Sequence, residues 1–316
     1  MNSRDALLSQ LTTFTEEEKY YLRCFELKQA AELRSGSETD SEESGLLRME
    51  RLPRFRPFKL HSHTSFEIFY IMSGTCWNQL DDRRYNLHPG DVGFLAPGVV
   101  HSLEVMSDSL VFSIHIRRDL FDQVFLRTLH YNNILSDFFM SCLYSRIPSG
   151  SILFPDTGEE IRDTFLDLYQ ESQLQDSYSE RLMENLLPLL FARLLRGYEN
   201  QAYIAGVGRG LFGGPSLRML SYINDHYQTI SLTELAEQFG YSVPHCSRLI
   251  RQETGAGFTA FVRRIRMYHA ASLLTDTGRS LAEISELVGY QTPEAFIRVF
   301  EKVYGQSPTQ YRHQRT

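Results

Sequence analysis

The chain has 316 residues, 42% hydrophobic and 22% charged, which fits about two domains and excludes a disordered, collagen-like or low-complexity chain. Its four cysteines (Cys24, Cys76, Cys142, Cys246) form no C-x-x-C pair, so a zinc ribbon or disulfide framework is excluded and a reducing cytoplasm is expected. No apolar run approaches the ~18 residues of a membrane span; the densest, Leu186 to Ala192, contains Pro188, and the N-terminus has no apolar signal segment. A soluble cytoplasmic protein without a membrane partner is expected.

In chain order, residues 4–34 have helical composition, with Leu7, Leu8 and Leu11 followed by Tyr20, Tyr21 and Phe25. Ser35 to Gly45 carries four acids and two glycines and reads as a linker. From Leu46 to Ile116 the period changes. Short segments (Glu67–Met72, Trp77–Leu80, Tyr85–Leu87, Val92–Leu95, Val100–Val105, Leu110–Ile116) are separated by turn signals such as Ser73-Gly74 and Pro89-Gly90-Asp91. Short strands at near-regular spacing predict a small antiparallel barrel or jelly roll.

Helical text follows. Leu182, Leu186, Leu189, Leu190 and Leu194 repeat at three and four, giving one apolar stripe that either packs on the barrel or pairs with a second helix. Five glycines and Pro215 then crowd residues 206–215, a domain linker.

The net charge of −7 alone would argue against nucleic acid, but it is unevenly spread. Residues 215–316 hold 11 basic and 9 acidic residues, ten of the eleven being Arg, whereas the remainder holds 21 basic and 30 acidic. Arg is the planar fork suited to phosphates and base edges. The same region contains a repeat: Ser231–Tyr241 realigns 49 residues later as Ser280–Tyr290 with six of eleven positions identical, and Pro244 matches Pro293. Each copy opens with an S-x-x-E capping box, Ser231/Glu234 and Ser280/Glu283. A helix stopping at Gly240 or Gly289 and a second helix started by Pro are then predicted. Helix, tight Gly turn, helix is the helix-turn-helix unit. Between the copies, Phe258, Phe261, Ile265, Tyr268 and Leu273 line one face of a long helix with Arg263, Arg264 and Arg266 at its middle.

Residues 217–312 resemble the DNA-binding module of the AraC/XylS transcription regulators, most closely in GYQTPEAFIRVFEKVYGQSPTQYR (289–312) and RQETGAGFTAFVRRIRMYHAASLL (251–274). The resemblance implies two recognition helices, about Val243–Gln252 and Pro293–Lys302, entering the major groove of double-stranded DNA. The exposed reading positions are expected to be Val243, His245, Ser247 and Arg248 on the first, and Thr292, Glu294, Ile297 and Arg298 on the second. Arg263 and Arg264 are expected on phosphates.

His61-Ser-His63-x3-Glu67-x6-Gly74, with Gly90-Asp91 through Pro97-Gly98-x2-His101, resembles the paired motifs of the cupin superfamily. Alternation would send His61 and His63 into the barrel, where Glu67 and His101 arrive from neighbouring strands. Three imidazoles and a carboxylate suit Fe, Mn, Ni or Zn, so a divalent transition metal at His61, His63, Glu67 and His101 is one reading. The other is a metal-free effector-contact or hydrogen-bonded site formed by these residues with Trp77. His115 reads as core.

The expected fold is α+β: a cupin-like antiparallel β-barrel (jelly roll) with flanking helices, then an all-α tandem helix-turn-helix domain. Its segments are 1–45 (helix and acidic linker), 46–120 (sensory barrel), 121–205 (helical connector or dimerisation region) and 214–316 (DNA-binding). The expected function is a transcription regulator, not an enzyme and without an obligate cofactor. Its implied partners are DNA, a small-molecule effector such as a sugar, a second copy of the chain and RNA polymerase. The alternative is a cupin-type metalloenzyme, a dioxygenase or isomerase, fused to a helical binding module.

Overall fold

A computed structural model of the chain describes residues 3–26, 46–56, 59–80, 82–118, 120–121, 133–135, 138–139, 142, 150–174, 176–205 and 215–313. The expected linkers at 35–45 and 206–214 lie outside these residues. The described elements fall into two compact units, one up to residue 205 and one from residue 215.

The first unit opens with helices α1 (Ser3–Thr12) and α2 (Glu16–Glu26). Nine strands follow: β1 (Leu47–Arg51), β2 (Phe66–Ser73), β3 (Cys76–Leu80), β4 (Arg83–Leu87), β5 (Val92–Leu95), β6 (His101–Glu104), β7 (Leu110–Ile116), β8 (Ser151–Phe154) and β9 (Tyr203–Ala205). They make two antiparallel sheets, six strands in the order β1-β7-β2-β5-β8-β9 and three in the order β4-β3-β6. The antiparallel double-sheet architecture is the expected one. The segment expected to be a purely helical connector nevertheless supplies β8 and β9. Both are too short to carry a period-2 pattern, and each is fixed by distant pairing: β8 with β5, more than fifty residues earlier, and β9 with β8.

Alternation divides the large sheet into two working faces. Ile68, Tyr70, Phe94, Phe112 and Phe154 are buried on the outer one, against α3 (Glu159–Leu174) and α4 (Ser179–Tyr198). Tyr70 stacks on Phe165 at 4.5 Å between ring centroids, Phe112 meets Tyr169 at 5.0 Å and Phe94 meets Phe191 at 5.8 Å. The single stripe expected on α4 divides into two. Met183, Leu187, Leu190, Phe191 and Leu194 are buried, whereas Leu182 and Leu189 stand 45% and 40% exposed on another face.

The N-terminal helices are held by a buried ion network. Thr15 and Glu18 form a capping box at the start of α2, with Thr15 N donating to Oε2 of Glu18 and Glu18 N to Oγ1 of Thr15. Glu18 is buried and also accepts from Arg51 and, through both carboxylate oxygens, from Arg54. The buried Arg54 guanidinium donates in addition to the Thr12 and Thr13 carbonyls and to Asp108, and lies 3.8 Å from the centre of the Phe14 ring. One arginine thus ties the α1–α2 turn to the segment after β1.

The second unit is all α: α5 (Pro215–Asp225), α6 (Leu232–Phe239), α7 (Val243–Thr254), α8 (Phe258–Asp276), α9 (Leu281–Leu287), α10 (Pro293–Tyr304) and α11 (Pro308–His313). Both expected capping boxes form, at Ser231/Glu234 and Ser280/Glu283. α7 and α10 follow the Gly turns as predicted. Their register differs from the primary repeat. The turn is Gly240-Tyr241-Ser242 in the first copy and Gly289-Tyr290-Gln291-Thr292 in the second, because α7 is capped by Ser242 and α10 by Thr292. The one-residue insertion makes the second helices equivalent at an offset of 50. Cys246 and Ile250 are buried where Phe296 and Phe300 are buried, and Arg248 matches Arg298.

For Glu18, burial alone would raise the carboxyl, but hydrogen bonds from Arg54 and from the Thr15 and Arg54 amides, with the charge of Arg51, hold it at about 2, below its ordinary 4.5. A depressed folded-state value contributes stability that is complete above about pH 4.5 and is lost as the pH falls toward 2. Hydrogen exchange in residues 3–26 is expected to accelerate across that interval. Glu18→Gln should cost about 3–5 kcal/mol at neutral pH by leaving Arg54 buried without its partner, and should abolish the acid-dependent component.

Candidate functional site

The inner face of the first unit is polar at one end. Glu67 on β2, 3% exposed, is the centre of the cluster. Its Oε2 lies 2.9 Å from Nε2 of both His63 and His101, and its Oε1 accepts from Ser113 Oγ on β7. The β2–β7 register pairs Glu67 with His115, and His115 Nε2 lies 3.2 Å from Ser113 Oγ. The rings of His61 and His101 are 4.5 Å apart, those of His63 and His101 5.1 Å, and those of His63 and His115 5.0 Å.

The structure brings together His61, His63, Glu67 and His101 as expected from the motif, but by a different device from strand alternation. His61 and His63 precede β2 on an irregular segment. That segment is pinned by a single bridge between His61 and His101 and by the Gly98 amide donating to the His63 carbonyl at 2.8 Å. His115, read from sequence as core, belongs to the cluster, as do Ser113 and Ser65. The signal was available: Ser113 and His115 are two apart on β7 and share its inner face. Trp77 does not join them. It alternates with the buried Cys76 and Asn78 on β3, so it faces outward, 40% exposed, with the Arg84 guanidinium 5.2 Å from its ring centre.

The ring nitrogens carry a consistent pattern. Nδ1 of His61, His63 and His101 lies 3.0, 2.9 and 3.0 Å from the carbonyls of Lys59, Ser65 and Val99. A carbonyl only accepts, so each Nδ1 holds a hydrogen and each Nε2 is turned toward the cluster. Contact of two Nε2 atoms with one carboxylate oxygen then needs a hydrogen, or a cation, at each. Burial would raise the Glu67 carboxyl, but the hydrogen bonds from His101 and His63 and the charges of His101 and His115 place it well below its ordinary range. Burial lowers His61, and the neighbouring His101 and His63 lower it further against the opposing pulls of the Lys59 carbonyl and Glu67. The donor atoms of His61, His63 and His101 lie within 4.8 Å of one another, as do those of His63, Glu67 and His115. With the Nδ1 hydrogens already committed to carbonyls, as metal-bound imidazoles usually arrange them, these residues fit a divalent transition metal.

In the second unit the expected reading positions divide by burial. Val243, Arg248, Thr292, Glu294 and Arg298 are exposed, while His245 and Ser247 are half-buried. Arg248 Nη2 donates to His245 Nδ1 at 2.8 Å, which aims the guanidinium along α7. Two expected positions are otherwise employed. Ile297 packs against the core formed by Phe296, Phe300 and Met267, and the Thr292 hydroxyl caps α10 by accepting from Ala295 N. Arg263 and Arg264 on α8 are exposed. Arg266, two residues beyond Arg264, is structural: its guanidinium donates to the carbonyls of Tyr227, Gln228 and Gly289.

Comparison with known proteins agrees with both halves. Residues 50–191 match the AraC-like ligand binding domain and residues 235–314 a helix-turn-helix domain. The HTH-type transcriptional regulator YisR of Bacillus subtilis (strain 168) is 20% identical over 250 residues, covering 78% of this chain and 85% of its own. An HTH-type transcriptional regulator of Haemophilus influenzae (strain ATCC 51907 / DSM 11121 / KW20 / Rd) is 25% identical over 264 residues, with the same coverage of 78% and 85%. Among solved structures, the C-terminal domain of AraT, a response regulator from Geobacillus stearothermophilus, is 38% identical over 33% of this chain and 88% of its own, with a TM-score of 0.32. Two helix-turn-helix units behind a ligand-binding β-domain define a DNA-binding transcription regulator. The chain belongs to the AraC/XylS family of these regulators, whose members matched here are regulators and not enzymes. Among the described residues, no helix is long and apolar enough to cross a membrane.

The hydrogen bonding of Glu67 ranks two substitutions. Ser113→Ala removes the one donor described for Oε1 and is expected to cost about 1–3 kcal/mol. Glu67→Gln leaves two imidazoles without their buried carboxylate and should cost about 3–5 kcal/mol. Thermal or urea unfolding of both variants checks the order.

Proposed function

We propose that the chain acts in the cytoplasm as a homodimer that reads two successive major-groove segments of its operator, contacts RNA polymerase, and changes state when a small polar metabolite engages the His/Glu end of its barrel. The observation that carries the DNA reading is the pair Arg248 and Arg298, both exposed and equivalent once the inserted Gln291 is counted. Val243, His245, Ser247 and Glu294 flank them as further groove contacts, and Arg263 and Arg264 take phosphates. The exposed Leu182 and Leu189, with Leu186 on the same face of α4, support dimerisation through that helix.

In this reading DNase footprints show two protected segments about 10–10.5 bp apart. Arg248→Ala and Arg298→Ala each cost about 1–3 kcal/mol and relax the sequence preference at one position. Arg263→Ala and Arg264→Ala weaken all sequences alike and lower the salt slope by about one each. One short footprint that Arg298→Ala leaves unchanged would refute the two-helix reading.

For the barrel we favour effector recognition without a resident metal, since both Glu67 oxygens already have donors in Ser113, His63 and His101. A divalent ion held by His61, His63, His101 and Glu67 would replace the hydrogens between Glu67 and its imidazoles. Elemental analysis of untagged protein is expected to give far less than one transition metal per chain, and a chelator to leave the melting temperature unchanged. One metal per chain, lost in His101→Ala, would assign the cluster to a metal.

A further inference from the structure

We propose that the effector is a small organic anion, a carboxylate or a phosphate ester, bound in a cavity at the mouth of the barrel by Arg117 and Arg118; this rests on the effector reading above and names its ligand class. The cavity holds about 600 Å³ and is lined by Ser62, His63, Thr64, Pro97, Gly98, Arg117 and Arg118. Sites for small molecules usually occupy about 300–1,000 Å³.

Three observations carry the assignment. The first is charge. Among the described residues of the lining, the charged side chains are two guanidinium groups and none is a carboxylate. Confined positive charge in a concave wall concentrates an anionic ligand, and the guanidinium fork matches carboxylate and phosphate in bidentate geometry. A neutral polyol would be better served by carboxylate and amide acceptors, and the polar side chains around this cavity are chiefly donors. The second is rigidity. The Gly98 amide ties the 97–98 turn to the His63 carbonyl, the backbones of His61 and His101 bond each other at 2.9 and 3.0 Å, and the Arg117 amide donates to the Leu46 carbonyl at 2.9 Å. A side chain built at Gly98 would meet nothing within 4 Å, so this wall faces open space. Such a site binds without first having to order its frame. The third is connection. His63 forms part of the cavity wall, and behind it Nε2 reaches Glu67, whose other oxygen holds Ser113 beside His115. Arg117 is two residues beyond His115 on the same chain segment. A ligand seated here touches the buried network through one imidazole while its charge is met at the rim.

The test uses the full chain in thermal-shift and calorimetric titrations against 2-oxoglutarate, glucose 6-phosphate and inorganic phosphate, with arabinose and glucose as neutral probes, at constant ionic strength. At least one anion is expected to bind, and the preferred arm tells carboxylate from phosphate ester. Arg117→Ala and Arg118→Ala should each weaken it tenfold or more. Thr64→Glu, which places a negative charge at an exposed cavity position without touching either arginine, should do the same while leaving the unliganded melting temperature unchanged. Stabilisation by the neutral sugars alone, anion binding indifferent to all three substitutions, or no response to any anion beyond that to chloride would overturn the proposal. DNA footprints are recorded in parallel. A normal footprint with no anion response counts against the cavity alone, whereas loss of the footprint in the unsubstituted chain counts against the regulator reading.

Discussion

A carboxylate that water scarcely reaches has to be answered by its neighbours, and Glu67 organises the first unit through that requirement. Its desolvation would be prohibitive without donors, and the donors come from three places: Ser113 on a paired strand, His101 on the second sheet, and His63 on the segment before β2. The two sheets therefore meet at a polar contact, and the 61–65 segment has a fixed place although it is not itself a strand. Elsewhere on the inner face of the large sheet Phe69, Ile71 and Leu95 are buried, so the histidine cluster borders an apolar neighbourhood. This contrast is what the proposed effector site at the His63 end would exploit. A group exchanging contacts with His63 alters the balance on a buried charge, and few other positions in the unit offer such leverage.

Much of this was written in local sequence. The H-x-H-x3-E spacing identified His61, His63 and Glu67, and the S-x-x-E boxes with their Gly stops located four of the seven described helices of the second unit. Both are short-range signals, made by residues whose partners lie within a few positions. What local reading could not supply was pairing across distance. β8 is a strand because β5 offers it an edge, β9 because β8 does so in turn, and Arg54 is buried because Glu18 awaits it 36 residues away. Other misses were legible in principle. The Thr15/Glu18 box has the same S/T-x-x-E form as Ser231/Glu234 and Ser280/Glu283. Alternation along Cys76, Trp77 and Asn78 already turns the tryptophan outward once its neighbours are taken as buried. Gln291 was hidden by Pro293, which aligns with Pro244 at the repeat's offset of 49 although it stands one position earlier in its helix.

The basic content of the second unit also needs to be divided by role. Ten arginines in that region invite the view of one electrostatic surface. Arg266 and Arg312 instead spend their guanidinium groups on backbone carbonyls: Tyr227, Gln228 and Gly289 for the first, Leu274 and Arg279 for the second. These contacts satisfy carbonyl groups left over at helix ends and turns, and they bind α8 to segments on both sides of it. Arg248, Arg298, Arg263 and Arg264 form a different set, exposed and mounted on helices whose own cores are apolar. The same residue type is thus mortar in one place and an exposed side chain in another, and burial separates the two.

Gly240 and Gly289 close the first helix of each repeat in the same left-handed conformation, with φ of 66° and 81°. Their surroundings differ. At Gly240 a Cβ would meet nothing within 4 Å, whereas at Gly289 it would stand 2.2 Å from the Gln228 carbonyl oxygen. Left-handed backbone is open to Asn at modest cost, so the first turn has an alternative that the second lacks. Two halves that began as copies are consequently under unequal constraint. The first can drift at its turn and retune how its reading helix is presented, while the second is held by the strand of backbone pressed against it. Variation among descendants of this chain should accumulate at the first corner and be purged at the second, so that the pair diverges from one side only.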